Sequence, residues 1–103
     1  DIYYTEGFRA VFEDHIEYLR SLVGKGTVIH DISPEDAYQY RYRPYQYLTD
    51  KYQVDKQFHW YILRLSRLTG PEDFDASVRK IYVPDWTFVR QLAATYQTKW
   101  TAV

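Results

Sequence analysis

The sequence predicts a small α+β domain. Three segments carry apolar residues at three- and four-residue spacing, which is helical periodicity. Two short runs rich in β-branched residues, 27–32 and 79–84, have strand character. At 103 residues the chain has room for one core and a minimal sheet. The arrangement expected is two helices packed against that sheet, with an amphipathic helix at each end. No internal repeat or linker-like shift in composition divides the chain, so residues 1–103 are read as a single domain.

In chain order, residues 7–23 predict the first helix. Phe8, Val11, Phe12, Ile16, Leu19, Leu22 and Val23 share one stripe, and Glu13, Asp14, Glu17 and Arg20 take the other face. Gly24 and Gly26 are expected to end it. TVIHDI, 27–32, is compatible with a strand. From Ser33 the signals conflict. Ser33-Pro34-Glu35-Asp36 is a helix start, with a hydroxyl cap, proline in the first position and acids in the first turn. Tyr38, Tyr40 and Tyr42 instead alternate with polar residues, as in a strand. The reading adopted is a helical turn from Pro34 that becomes extended before Pro44, because a residue preceding proline avoids the helical region.

Pro44 opens a short helix carrying Tyr45, Leu48 and Tyr52. Asp55 is expected to cap a helix over 56–68, with Phe58, Tyr61, Ile62, Leu65 and Leu68 on its stripe and Gly70-Pro71 closing it. Residues 72–77 form a polar loop. RKIYVP, 79–84, is a strand with Ile81 and Val83 on one side. Asp85 caps a last helix, 85–100, striped by Val89, Leu92, Ala93, Tyr96 and Trp100. Phe12, Trp60, Ile62, Leu65, Ile81 and Leu92 are the expected core.

Composition narrows the function. Hydrophobic residues make up 46% and charged residues 26%, as in a globular domain. The 12 tyrosines, 5 phenylalanines and 3 tryptophans exceed what so small a domain can bury, so some rings lie at the surface, where Tyr and Trp favour interfaces. A net charge of −1 argues against a charge-driven grip on nucleic acid or an anionic membrane. The absence of cysteine excludes disulfides and thiolate metal sites. No run of about 18 apolar residues is present. The sequence opens at Asp1 and contains no methionine, which suggests part of a longer protein.

Catalytic signals are weak. His15, His30 and His59 form no pair at metal-ligand spacing. His15 on its apolar stripe and His59 beside Trp60 are read as half-buried, hydrogen-bonded structural residues. Glu13, Asp14 and Glu17 suit a solvated helix face, and Glu72, Asp73 and Asp75 lack the regular series and glycine turn of a calcium loop. No phosphate loop, nucleophile elbow or dinucleotide fingerprint occurs. No enzymatic activity, catalytic residue, metal or cofactor is therefore expected.

The informative stretch is AYQYRYRPYQYL, 37–48, with five tyrosines in ten positions. Tyrosine brings a large rigid area and a hydrogen-bonding tip, and arginine brings a planar cation that pairs with carboxylates or stacks on rings. Tyr38, Tyr40, Arg41, Tyr42, Arg43 and Tyr45 are the expected outward, partner-binding set. The competing readings are that these rings wrap around Trp60 and Trp86 as core, or that they stack the bases of single-stranded nucleic acid.

A family pattern runs through the same region. Tyr42-Arg43-Pro44, then Lys51-Tyr52, then Phe58-His59-Trp60-Tyr61-Ile62-Leu63, then Gly70-Pro71 and Ile81-Tyr82-Val83-Pro84 resemble the LysM-like domain of baseplate wedge proteins from contractile-tailed bacteriophages. Where that family has Tyr-Gly-Asp, this sequence has Tyr52-Gln53-Val54-Asp55; its Trp pair is His59-Trp60, and its Asn after the second helix is replaced by Leu65-Ser66-Arg67. The resemblance implies a LysM-like core over 42–84 and a structural virion protein, a tail or baseplate connector assembled in the host cytoplasm. Its implied partners are other virion structural proteins in a multi-subunit assembly. A membrane, nucleic acid and peptidoglycan are not the expected partners, although a single-strand nucleic-acid module using 38–45 is the alternative.

Overall fold

The computed structural model describes the backbone of residues 1–101 and the side chains of residues 1–98. It is a mixed α+β structure, as expected. Within the described residues, helices α1 (Glu6–Asp14) and α2 (Ile16–Ser21) lead to strand β1 (Val28–Asp31). Helices α3 (Pro34–Gln39), α4 (Pro44–Tyr52) and α5 (His59–Leu65) follow, then strand β2 (Lys80–Val83) and helix α6 (Trp86–Thr101).

The single helix expected over 7–23 is broken in two. At His15 the backbone leaves the helical region, with φ −108° and ψ 5°, and the ring Nδ1 donates to the Val11 carbonyl at 2.8 Å. The apolar stripe survives the break, since Phe8, Phe12 and Leu19 are all buried. Val23 lies beyond the helix and is exposed. Gly26 then turns the chain into β1 at φ +131°, a region that L side chains rarely adopt. A Cβ there would also lie 2.8 Å from Asp85 Oδ2. Gly26→Ala is expected to destabilise the domain by about 1–3 kcal/mol in chemical denaturation; an unchanged midpoint would show that this turn relaxes freely.

The two strand-like runs pair with each other. β1 and β2 are antiparallel, with Val28 opposite Val83, Ile29 opposite Tyr82, His30 opposite Ile81 and Asp31 opposite Lys80. The segment they enclose runs from Val28 to Val83, with Tyr42 inside it in a turn.

Between the strands, capping prevails over alternation. The Asp36 N–H donates to Ser33 Oγ at 3.1 Å, Pro34 fills the first helical position, and α3 forms. Tyr38, Tyr40 and Tyr42 are not a strand. Tyr42 adopts a left-handed conformation (φ 64°) and its N–H donates to the Phe74 carbonyl at 2.6 Å. Arg43, at φ −130° and ψ 58°, avoids the helical region before Pro44, and α4 begins. Gln53, left-handed at φ 51°, ends α4.

The helix expected over 56–68 is shorter. Residues Lys56–Phe58 form a 3-10 turn, the Asp55 side chain makes no capping hydrogen bond, and α5 stops at Leu65, ahead of Gly70-Pro71. Ser66 explains the stop. Its hydroxyl donates to the Ile62 carbonyl at 2.7 Å and accepts from the Tyr82 N–H at 2.8 Å, tying the helix end to β2. Arg67, left-handed at φ 66°, turns the chain away.

The domain measures 50 × 26 × 21 Å, and its interior is divided in two. One core gathers Ile32, Ala37, Tyr40, Tyr47, Leu48, Phe74 and Ile81 around Ile62 and Leu63. The other gathers Phe8, Phe12, Leu19, Val89 and Ala93 around Tyr61 and Leu65. α5 supplies residues to both, which is why it is apolar on nearly every side. Strand β2 divides the same way, with Ile81 in the first core and Tyr82 packed against the second. The terminal helices α1, α2 and α6 thus pack on their own chain. Asp85 Oδ1 accepts from the Thr87 N–H at 3.0 Å and starts α6. Of the expected core residues, Trp60 and Leu92 are only half-buried. The Trp100 side chain lies outside the described residues.

Buried phenols make the fold sensitive to alkali. Burial pushes the Tyr61 hydroxyl up to about 12, with Arg9 opposing the shift. Burial also raises Tyr47, helped by a hydrogen bond with Tyr52. In the unfolded chain tyrosine releases its proton near pH 10, so the unfolded state holds fewer protons than the folded state above that pH. Stability is therefore fully present below about pH 10 and falls as pH rises through the folded-state values. Denaturant midpoints measured from pH 8 to 12 check this, and a Tyr47→Phe, Tyr61→Phe double variant should flatten the decline.

Candidate functional site

The tyrosine stretch occupies the end of α3, the turn after it and the start of α4. Tyr38 is 60% exposed, Tyr42 56% and Tyr45 45%. Arg41 and Arg43 are exposed beside them. Tyr40 corrects the expectation: it is only 8% exposed. It sits three residues after the buried Ala37, at the C-cap of α3, with its ring edge-on to Tyr47 at 5.4 Å. Its hydroxyl donates to Asp50 Oδ2 at 3.0 Å, and this hydrogen bond, ahead of burial, raises its pKa. Tyr47 is buried as well, so three of the five rings face outward and two face the core.

The outward residues are held in place. The Arg41 guanidinium lies 4.1 Å from the centroid of the Tyr38 ring, and its Nη1 donates to the Tyr38 carbonyl at 2.8 Å. Arg43 Nη2 donates to the Gln39 carbonyl across the same turn. Side chains already ordered lose less entropy when a partner covers them. The left-handed backbone of Tyr42 costs about 1–2 kcal/mol for a residue with a Cβ, and its hydrogen bond to the buried Phe74 segment holds it there.

Beside this strip lies a cleft of about 620 Å³ that sequence reasoning missed. Its walls include Tyr4, Arg9, Tyr45, Lys56, His59 and Trp60. No spacing rule joins those positions; packing of the N-terminal 3-10 turn, Ile2–Tyr4, on α5 and on the 3-10 turn before it brings them together. His59 is buried, its Nε2 donates to the Val54 carbonyl at 2.9 Å, and Tyr45 lies parallel to it at 5.7 Å. Arg9 and Arg64 approach the Trp60 ring at 4.7 and 5.8 Å.

The acidic loop is engaged locally. Asp73 accepts from the N–H and hydroxyl of Thr69, and Asp75 from those of Ser77. These hydrogen bonds hold both carboxyls below the usual range. Among the described residues no cluster of three His, Cys, Asp or Glu is placed to hold a metal ion, and no helix is long and apolar enough to cross a membrane. Compared with known proteins, the chain matches no family model, no curated protein and no solved structure.

Proposed function

We propose that the chain is a non-enzymatic structural connector of a contractile phage tail or baseplate, joining neighbouring virion proteins through aromatic surface. The observation that carries the interface reading is the exposed strip Tyr38, Arg41, Tyr42, Arg43 and Tyr45, ordered on the α3–α4 turn before any partner arrives. Tyrosine and arginine dominate the centres of protein interfaces, and a few such anchors serve a standard interface of about 1,600 Å². The virion setting rests on the wedge-family resemblance. Residues from its segments lie side by side here: Leu48 of α4, Ile62 and Leu63 of α5 and Ile81 of β2 belong to one core.

The test is native mass analysis of gently purified source material. A large particle carrying this chain at fixed stoichiometry is the expected result. A chain that runs alone as a monomer would overturn the connector reading and turn attention to single-stranded nucleic acid, whose binding would fall steeply with salt.

A further inference from the structure

The cleft between the N-terminal turn and the start of α5 has its own chemistry. The rings of Tyr4, Tyr45, His59 and Trp60 wall it, and Arg9 and Lys56 bring positive charge. No acidic side chain is among the residues lining it. Among the described residues neither Arg9 nor Lys56 has a carboxylate within ion-pairing distance, whereas Arg20, Arg64 and Lys51 each have one. Arg9 is placed by the face of Trp60, 4.7 Å away, and its Nε is buried with no hydrogen-bond partner. Asp50, on the α4 face nearby in sequence, already accepts from Gln46 and Tyr40. In a chain of net charge −1, the cleft thus concentrates uncompensated cations against aromatic walls.

We propose that this cleft receives an acidic segment of a neighbouring polypeptide, with a carboxylate between Arg9 and Lys56 and an aromatic or apolar side chain against Tyr4, Tyr45 and Trp60. The carboxylate would pair with planar guanidinium and ammonium donors together, beside the faces of the aromatic rings. A volume of about 620 Å³ accommodates two or three side chains. A nucleic-acid strand is a poorer match, since a single-strand groove tracks at least about four nucleotides with a run of cations, and two are present here. Tyr45 belongs to both the cleft and the tyrosine strip, so one partner can continue from one into the other. The polypeptide nature of the occupant rests on the connector reading.

The experiment screens the full chain against a positional-scanning library of acetylated, amidated hexapeptides, with octathymidylate as the phosphate probe. Binding is read from the indole N–H signal of Trp60 in NMR spectra. The expected result is enrichment of Asp or Glu next to an aromatic residue. Lys56→Glu, an exposed position whose reversal leaves packing intact, should weaken the selected peptides about tenfold or more, as close charge pairs do; Arg9→Lys should weaken them as well. Selection of neutral peptides, retention of acidic ones by Lys56→Glu, or a response to octathymidylate alone would each overturn the proposal. The two readings separate cleanly. If Tyr38→Ala with Tyr42→Ala leaves particle assembly intact while acidic peptides still bind, the strip fails and the cleft stands; the converse result removes the cleft alone.

Discussion

Tyr61→Ala is expected to bring the domain close to unfolding. Tyr61 is fully buried in the second core, edge-on to Phe12 at 4.8 Å and Trp60 at 4.9 Å and beside Phe8 at 5.9 Å. Its hydroxyl donates to the Tyr3 carbonyl at 2.6 Å, fastening the N-terminal turn to α5. Removing a buried ring of this size costs about 3–5 kcal/mol. Natural domains hold only about 5–15 kcal/mol in total, and an interior divided into two small cores has little reserve. The melting temperature should fall by about 12 °C or more, taking about 4 °C per kcal/mol for a domain of this size. Tyr61→Phe keeps the ring and loses only the hydroxyl, so its loss should be about 1 kcal/mol. If both variants melted like the parent chain, α5 would not be the element that joins the two cores.

The second large effect separates rings that face outward from rings that face inward. Tyr38→Ala combined with Tyr42→Ala should leave the isolated fold within about 0.5 kcal/mol of the parent, because both side chains lie on the surface. The same pair should weaken assembly by about 2 kcal/mol or more, roughly thirtyfold, as central aromatic anchors do. Tyr40→Ala should behave oppositely and cost about 3 kcal/mol of stability, since it empties a core site and removes the hydrogen bond to Asp50 Oδ2. Denaturation midpoints and co-assembly measured on the same preparations decide between them. A double variant that assembles normally would remove the strip as an interface. One that unfolds would return Tyr38 and Tyr42 to the core.

Where sequence reasoning succeeded, the governing contacts are short-ranged. The Ser33 cap, the proline starts of α3 and α4, and the Asp85 cap all act within about four residues. The strands were legible as β-branched runs, the helical stripes placed Phe12, Ile62 and Leu65 in the core, and the strand pattern placed Ile81 there. The misreadings came where two local signals competed or where a distant group intervened. The helical turn read from Pro34 is α3, but the chain does not extend after it: Tyr42 turns it with a left-handed backbone held by the Phe74 carbonyl. The helix over 56–68 stops early because Ser66 meets Tyr82, sixteen residues away. The first helix breaks at His15, which its apolar spacing continues straight through. Trp60 packs one side on Phe12 and Tyr61 but is only half-buried, with the Arg9 and Arg64 guanidinium groups against its ring.

The α+β class, the order of its elements and the presence of surplus surface aromatics follow from the sequence alone, because periodicity, capping and composition are properties of neighbouring residues. Which tyrosines face outward is a different kind of fact. A ring is buried only when another segment covers it: Tyr40 is closed in by α4, and Tyr61 by α1 and the N-terminal turn. The cleft is of the same kind, since Arg9 and Lys56, 47 residues apart in sequence, come to line one cleft only when the N-terminal segment packs on α5. Tertiary packing decided these, because burial and charge compensation depend on segments far apart along the chain.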